Sequence, residues 1–207
     1  MSKSLIVVNA YSADEDLFIP GAIEDINIAW ALSNLLEKEP ILITDVYDVD
    51  WDVASTLMEK QTVLNILRSG EFSICYLSCH GEMVTPTSSS LVFSDGMLTF
   101  TEIVDVVSHD AEFLLIVDAC YSSNFVRLPY KVVNGTRIQL HPPGDHGPIS
   151  AFCSSKLGCM SWSSPIGSPF TRNLFSSLSD LEKFDLASLT NRLSFNDSCS
   201  VWTSVLF

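Results

Sequence analysis

Cations are scarce in this chain. Eleven lysines and arginines stand against 25 acidic residues, a formal charge of −14 at pH 7 over 207 residues. Such a balance repels phosphate backbones and anionic membrane surfaces, so neither nucleic acid nor a membrane is an expected partner. Long apolar runs are missing as well. The stretch "SLIVV" near the start lacks the flanks of a secretory signal, and nothing approaches the roughly 18 apolar residues of a membrane span. Among the six cysteines (75, 79, 120, 153, 159 and 199) no CxxC pair occurs, which removes the usual signs of zinc or a redox disulfide. These absences together predict a cytoplasmic protein with reduced thiols, in which the NGT and NDS sequons at 134 and 196 carry no glycan. There is no glycine loop to cradle a phosphate, no repeat, and no low-complexity segment beyond "TPTSSS", so a nucleotide-binding module is disfavoured.

What is present is apolar and alternating. Apolar residues make up 47% of the chain and charged ones only 17%, enough to bury one core, so residues 1–207 read as a single domain. "SLIVVNAY" reads as a strand, and "GAIEDINIAWALSNLLEK" as a helix with a stripe of Ile23, Ile26, Trp30 and Leu35. "PILITDV" is a second strand, Trp51 to Ser69 a helical segment, and "FSICYLSCHGE" a third strand ending on His80. "SSLVFSDGMLTF" is a hairpin turning at Asp95-Gly96, and "TFTEIVDVVS" a helix with a threonine cap near Glu102. Strands "FLLIVDA", "ISAFCSS" and "SVWTSVLF", and helices over "SPFTRNLFSSLSDL" and Leu186–Leu193, complete an α/β pattern. Alternation of this kind predicts about six strands in a mostly parallel sheet with helices on both faces.

The segment "FLLIVDACYSSNF" places Cys120 just past a buried strand, where open parallel sheets expose reactive groups. His80 closes another such strand. If the two strands are neighbours, thiol and imidazole emerge at one sheet edge, the arrangement of an activated nucleophile, with amides near Gly81 and Cys120 to hold an oxyanion.

A third segment carries a family resemblance. "CSSKLGCMSWSSPIGSPFTRNL" (153–174) resembles the caspase stretch with Ser-Trp-Arg followed by Gly-Ser-x-Phe and a helix. "VWTSVLF" resembles the last caspase strand, and "PGAIEDINIAWAL" the first helix. The chain thus resembles the group of caspases, metacaspases and paracaspases along nearly its whole length. That resemblance implies a caspase-like three-layer sandwich and a cysteine peptidase in which His80 and Cys120 are the dyad. It names no residue orienting His80, and a backbone carbonyl is one solution. Where caspases read a substrate aspartate with two arginines and a glutamine, this chain has Ile19, Ser163 and Asp118. The metacaspase pattern is matched by Asp118 two before the cysteine, Ser78 two before the histidine and Asp25 in the first helix, while Ala22 stands where metacaspases often have cysteine. Residues 160–163 (Met160, Ser161, Trp162, Ser163) match positions that line substrate pockets. Tyr121 and Ser122 depart from the residues usual after the cysteine.

A charge argument leads to the same specificity. A substrate carboxylate beside Asp118 and Asp25 would add a third like charge, whereas a guanidinium could hydrogen-bond to both. Cleavage of protein or peptide substrates after a basic residue, Arg before Lys, is the expectation. The rival reading is a catalytically silent caspase-fold regulator or scaffold. No cofactor is expected: calcium is required by many metacaspases, but no oxygen-ligand motif appears, and His141, Asp145 and His146 in "HPPGDHG" are better read as a solvated loop than as metal ligands. Two further expectations concern the carboxyl half. The loop 124–148, with Arg127, Lys131 and Arg137, lies where caspases are processed and is either a self-cleavage site or an uncut surface loop. The last strand, 200–207, apolar on both faces, is expected to be an exposed edge through which two copies form a homodimer.

Overall fold

Apolar runs without polar alternation mark strands covered on both faces, and all six residues of Phe113–Asp118 are buried. In the computed structural model, which describes residues 2–47, 51–69, 71–107, 110–179, 186–194 and 199–204, this run is the middle strand of a nine-stranded sheet. The elements are β1 (Lys3–Val8), α1 (Ala22–Leu35), β2 (Glu39–Thr44), β3 (Val53–Ser55), α2 (Lys60–Arg68), β4 (Phe72–Ser78), β5 (Gly81–Thr85), β6 (Ser88–Phe93) and β7 (Gly96–Leu98). There follow α3 (Phe100–Val104), β8 (Phe113–Asp118), α4 (Ser122–Phe125), β9 (Tyr130–Val133), β10 (Thr136–Gln139), β11 (Ile149–Cys153), α5 (Pro169–Ser179), α6 (Leu186–Ser194) and β12 (Ser200–Thr203).

The sheet order is β10-β9-β12-β11-β8-β4-β1-β2-β3. From β11 to β3 every pairing is parallel, and β11, β12, β9 and β10 pair antiparallel. On one face the core takes Val63 and Leu67 of α2 with Phe100 and Ile103 of α3; on the other it takes Ile26 and Ala29 of α1 with Leu174 of α5 and Leu189 of α6. This is a mostly parallel α/β sheet between two helical layers, as expected, but with nine strands instead of about six.

The differences have local causes. In α1 the inward face is Ala22, Asp25, Ile26, Ala29, Leu32 and Ser33, while Ile23 and Leu35 are about half exposed; the helix is turned so that Asp25 points into the protein. The segment expected to be helical from Trp51 begins as β3, and α2 starts only at Lys60, where the Asp95 carboxylate accepts the amides of Lys60 and Gln61. The hairpin at Asp95-Gly96 forms as β6-β7, with β5 added to make a separate three-stranded sheet. Thr99 and Glu102 form a reciprocal capping box on α3.

Two features of the carboxyl half differ from the plain loop and free edge strand read from the sequence. The stretch 124–148 begins at the end of α4 and carries a β9-β10 hairpin turning at Asn134-Gly135, both with positive φ (48° and 72°). Lys131 and Arg137 are therefore held in strand ladders, and Arg127, the exposed one of the three, precedes the fully buried Leu128. That hairpin also removes the free edge. Val201, Trp202 and Thr203 pair with β11 on one side and β9 on the other, so strand pairing of two copies through β12 is closed off; residues 205–207 lie outside the described residues. The sheet ends on β10 instead. Trp202, wholly buried, packs against His141 and Lys131.

Candidate active site

Parallel neighbours bring their carboxyl ends to one edge, and here β4 and β8 are adjacent in register, Ser78 opposite Asp118. His80 and Cys120 follow those two residues and line one cleft of about 90 Å³. Asp25, Ser78, Asp118, Ser161, Trp162 and Ser163 line the same cleft, joined by Ile19 and Ser168. Three other sequence candidates stand outside it. Ala22 is buried in the first turn of α1, Met160 is 60% exposed beside a neighbouring pocket with Lys156 and Phe170, and Gly81 abuts Cys120 through its backbone. A Cβ at Gly81 would overlap the Cys120 carbonyl oxygen, so this close approach requires glycine.

His80 is held from three directions. Its Nε2 lies 2.6 Å from the Leu17 carbonyl oxygen, which can only accept, so Nε2 carries a proton and donates it there. The Tyr11 ring packs against the imidazole at 4.6 Å, and the Tyr11 hydroxyl accepts the His80 amide. Leu17 and Tyr11 are the residues that sequence reasoning missed. A carbonyl belongs to every residue and leaves no compositional mark, which is why only an unspecified backbone acceptor was foreseen. The loop that presents them is closed by an Ile19-to-Ala10 backbone bond and by the Asp45 carboxylate, which accepts the amides of Ala10 and Ser12.

Around the cysteine, most amides are occupied. Cys79 donates to the Asp118 carbonyl, Ala119 to Ser154 Oγ, Tyr121 to the Cys159 carbonyl and Ser122 to Ser155 Oγ. The Cys120 amide has no such partner among the described residues and can still donate. Tyr121 adopts a left-handed conformation (φ 56°) that places Cys120 on a sharp strand-to-helix turn. The thiol of Cys120 donates to the Ser161 carbonyl at 3.7 Å; no hydrogen bond joins it to His80.

The floor of the cleft is formed by two buried carboxyl groups. Asp118 accepts from Ser161 Oγ (3.1 Å) and Thr171 Oγ1 (2.7 Å), and Asp25 from the Ser168 amide (2.8 Å) and Ser78 Oγ (3.5 Å). Burial pushes the Asp25 carboxyl up to about 7, with the neighbouring Asp118 charge adding to it and the Ser168 amide working against it. Burial raises Asp118 as well, opposed by the hydroxyls around it. No lysine or arginine lines this cleft.

Elsewhere, none of the six cysteines is in a disulfide, and Cys75, Cys79 and Cys153 are buried thiols whose titration is pushed upward by desolvation. His141 stacks on Trp202 and His146 sits edge-on to Phe100, so the "HPPGDHG" histidines pack on different rings. Among the described residues no cluster of three or more His, Cys, Asp or Glu side chains is arranged to hold a metal, and no helix is long and apolar enough to cross a membrane.

No family model matches the chain, and no curated protein does. Among solved structures it is similar to caspase-1 from Spodoptera frugiperda, with a TM-score of 0.62 and 14% sequence identity, covering 91% of this chain and 73% of that one. Likeness at that identity establishes a caspase-like fold.

Proposed function

We propose that this caspase-fold chain is a cysteine endopeptidase that cuts after a basic residue, arginine in preference to lysine. The observation that carries the reading is a single cleft shared by His80, Cys120 and two buried carboxylates, with no cation lining it. A guanidinium entering between Asp25 and Asp118 replaces a like-charge repulsion with paired charges, and its fork can bond to both. Lysine offers a point charge and fewer directed donors. The volume, about 90 Å³, suits the head of one side chain.

The chemistry follows from the holders of His80. Nδ1 takes the thiol proton, the thiolate attacks the scissile carbonyl, and the amides of Cys120 and Gly81 stabilise the oxyanion. His80 then returns the proton to the leaving amine, giving a thioester that water, deprotonated by the same nitrogen, hydrolyses. For this the thiol must exchange its bond to Ser161 for one to His80, a tightening common between free and substrate-bound sites. Six cysteines without a disulfide suit the reducing cytoplasm.

The resting thiol, bonded to Ser161 and not to His80, favours the alternative of a silent regulator. Fluorogenic peptides differing only in the residue before the scissile bond separate the readings. Turnover of the Arg peptide, with covalent labelling by an Arg peptide ketone that disappears in Cys120→Ala, is expected. Turnover of the Asp peptide alone would refute the pocket assignment, and absence of labelling would leave the regulator.

A further inference from the structure

Beyond His80 the carboxyl edge of the sheet continues over the ends of β1, β2 and β3 into a chamber of about 430 Å³ that the chemistry above does not use. Apolar walls come from Tyr11, Leu17, Leu57, Met58 and Val92, and the charged residues lining it are Asp14 and Asp45. Its volume falls in the roughly 300–1,000 Å³ range of small-molecule sites. Its place, outside the carboxyl ends of parallel strands, is also where open α/β sheets bind ligands. Here α1, which follows β1, covers one face, and α2, which precedes β4, covers the other.

Three of the wall residues are the supports of the histidine. The Tyr11 ring lies against the imidazole, and its hydroxyl accepts the His80 amide while donating to the Val92 carbonyl at 2.9 Å. The Leu17 carbonyl takes Nε2, and the Val92 amide donates to the His80 carbonyl at 2.9 Å. A molecule seated in the chamber therefore touches what holds His80 without lining the cleft. The charge of the lining selects its sign. Both Asp45 oxygens are committed to the Ala10 and Ser12 amides, whereas Asp14 accepts the Asp16 amide on one oxygen and keeps the other for a donor. No basic residue lines the chamber, and Leu57, 59% exposed, forms an apolar lip.

We propose that this chamber is a binding site for a small amphipathic cation, an apolar body ending in an ammonium group, and that its occupancy resets the position of His80. The effect on catalysis rests on the peptidase reading; binding and the movement of the imidazole do not. The test is an NMR titration of the whole chain with 4-phenylbutylamine, and separately with 4-phenylbutyrate, following the His80 ring resonance identified by its loss in His80→Gln. The amine is expected to bind at least tenfold more tightly than the acid, and the His80 resonance to move with the same dissociation constant. Leu57→Lys at the lip should weaken the amine at least tenfold and Asp14→Asn about threefold. Absence of binding, or a His80 resonance that stays in place at saturation, overturns the proposal. So does amine binding that survives both variants, which would belong to the Asp25–Asp118 slot. A protein without peptidase activity refutes the function proposed above and leaves this titration fully readable.

Discussion

On one side of His80 is a narrow slot whose carboxylates are wired to hydroxyls and amides; on the other is a wider chamber whose walls are mostly apolar. The slot concentrates charge that burial makes costly. The chamber supplies the rigid backing, a ring, a carbonyl and a strand, that keeps one imidazole in place. On the peptidase reading proposed above, charge and positioning fall on two sides of a single side chain, so changes on either side should leave different signatures.

The largest expected effect is on the slot. Asp25 keeps its proton in the folded protein up to about pH 7, while in the unfolded chain it ionises near 3.8. Folding takes up a proton between these values, so the stabilising effect is complete below pH 4 and is lost as pH rises to 7. Asp25→Asn, which retains an acceptor for Ser168, should match the wild type in urea denaturation at pH 4 and exceed it above pH 7 by on the order of 2–4 kcal/mol. The same variant should abolish the rise in 1/KM for an Arg peptide that the wild type shows as pH approaches 7. Equal urea midpoints for the two proteins at pH 8 would mean that Asp25 is not strained.

Next comes Asp118→Asn. Loss of one of two paired charges should lower kcat/KM for Arg peptides about 100-fold while leaving the rate of Cys120 alkylation by iodoacetamide within about twofold. A parallel fall in both would show that Asp118 organises the thiol instead of reading the substrate. On the chamber side, Tyr11→Phe keeps the ring against His80 but removes the hydroxyl that links the His80 amide to Val92. A drop in kcat of about tenfold with KM unchanged is the expected signature of a positioning loss; a change confined to KM would move Tyr11 to the substrate side. The smallest effect lies outside both regions. Gly135→Ala forces a β-carbon into a left-handed turn (φ 72°) and should cost about 1 kcal/mol in urea denaturation without altering activity.

Particular residues show why some of this was legible in the sequence. His80 and Cys120 each follow a mostly apolar, buried strand, and chemistry-bearing residues at the ends of parallel strands converge wherever those strands are neighbours. The hairpin at Asn134-Gly135 carried a readable signal, an Asn-Gly turn between "KVV" and "TRI", yet the surrounding prolines and polar residues made the whole stretch resemble a loop. The α1 stripe was misplaced because hydrophobicity alone puts Ile23 inside and Asp25 outside, whereas the buried Ser168 amide and the cleft draw Asp25 inward.

By itself the order of residues determined the α/β alternation, the mostly parallel sheet and the positions of the thiol and imidazole at strand ends, because periodicity and apolar runs are local properties. Tertiary structure alone decided that Leu17 is the residue whose carbonyl meets His80 and that β9 covers the edge of β12. Those outcomes depend on backbone groups common to every residue and on which distant strands become neighbours, and neither is encoded in any short stretch of side chains.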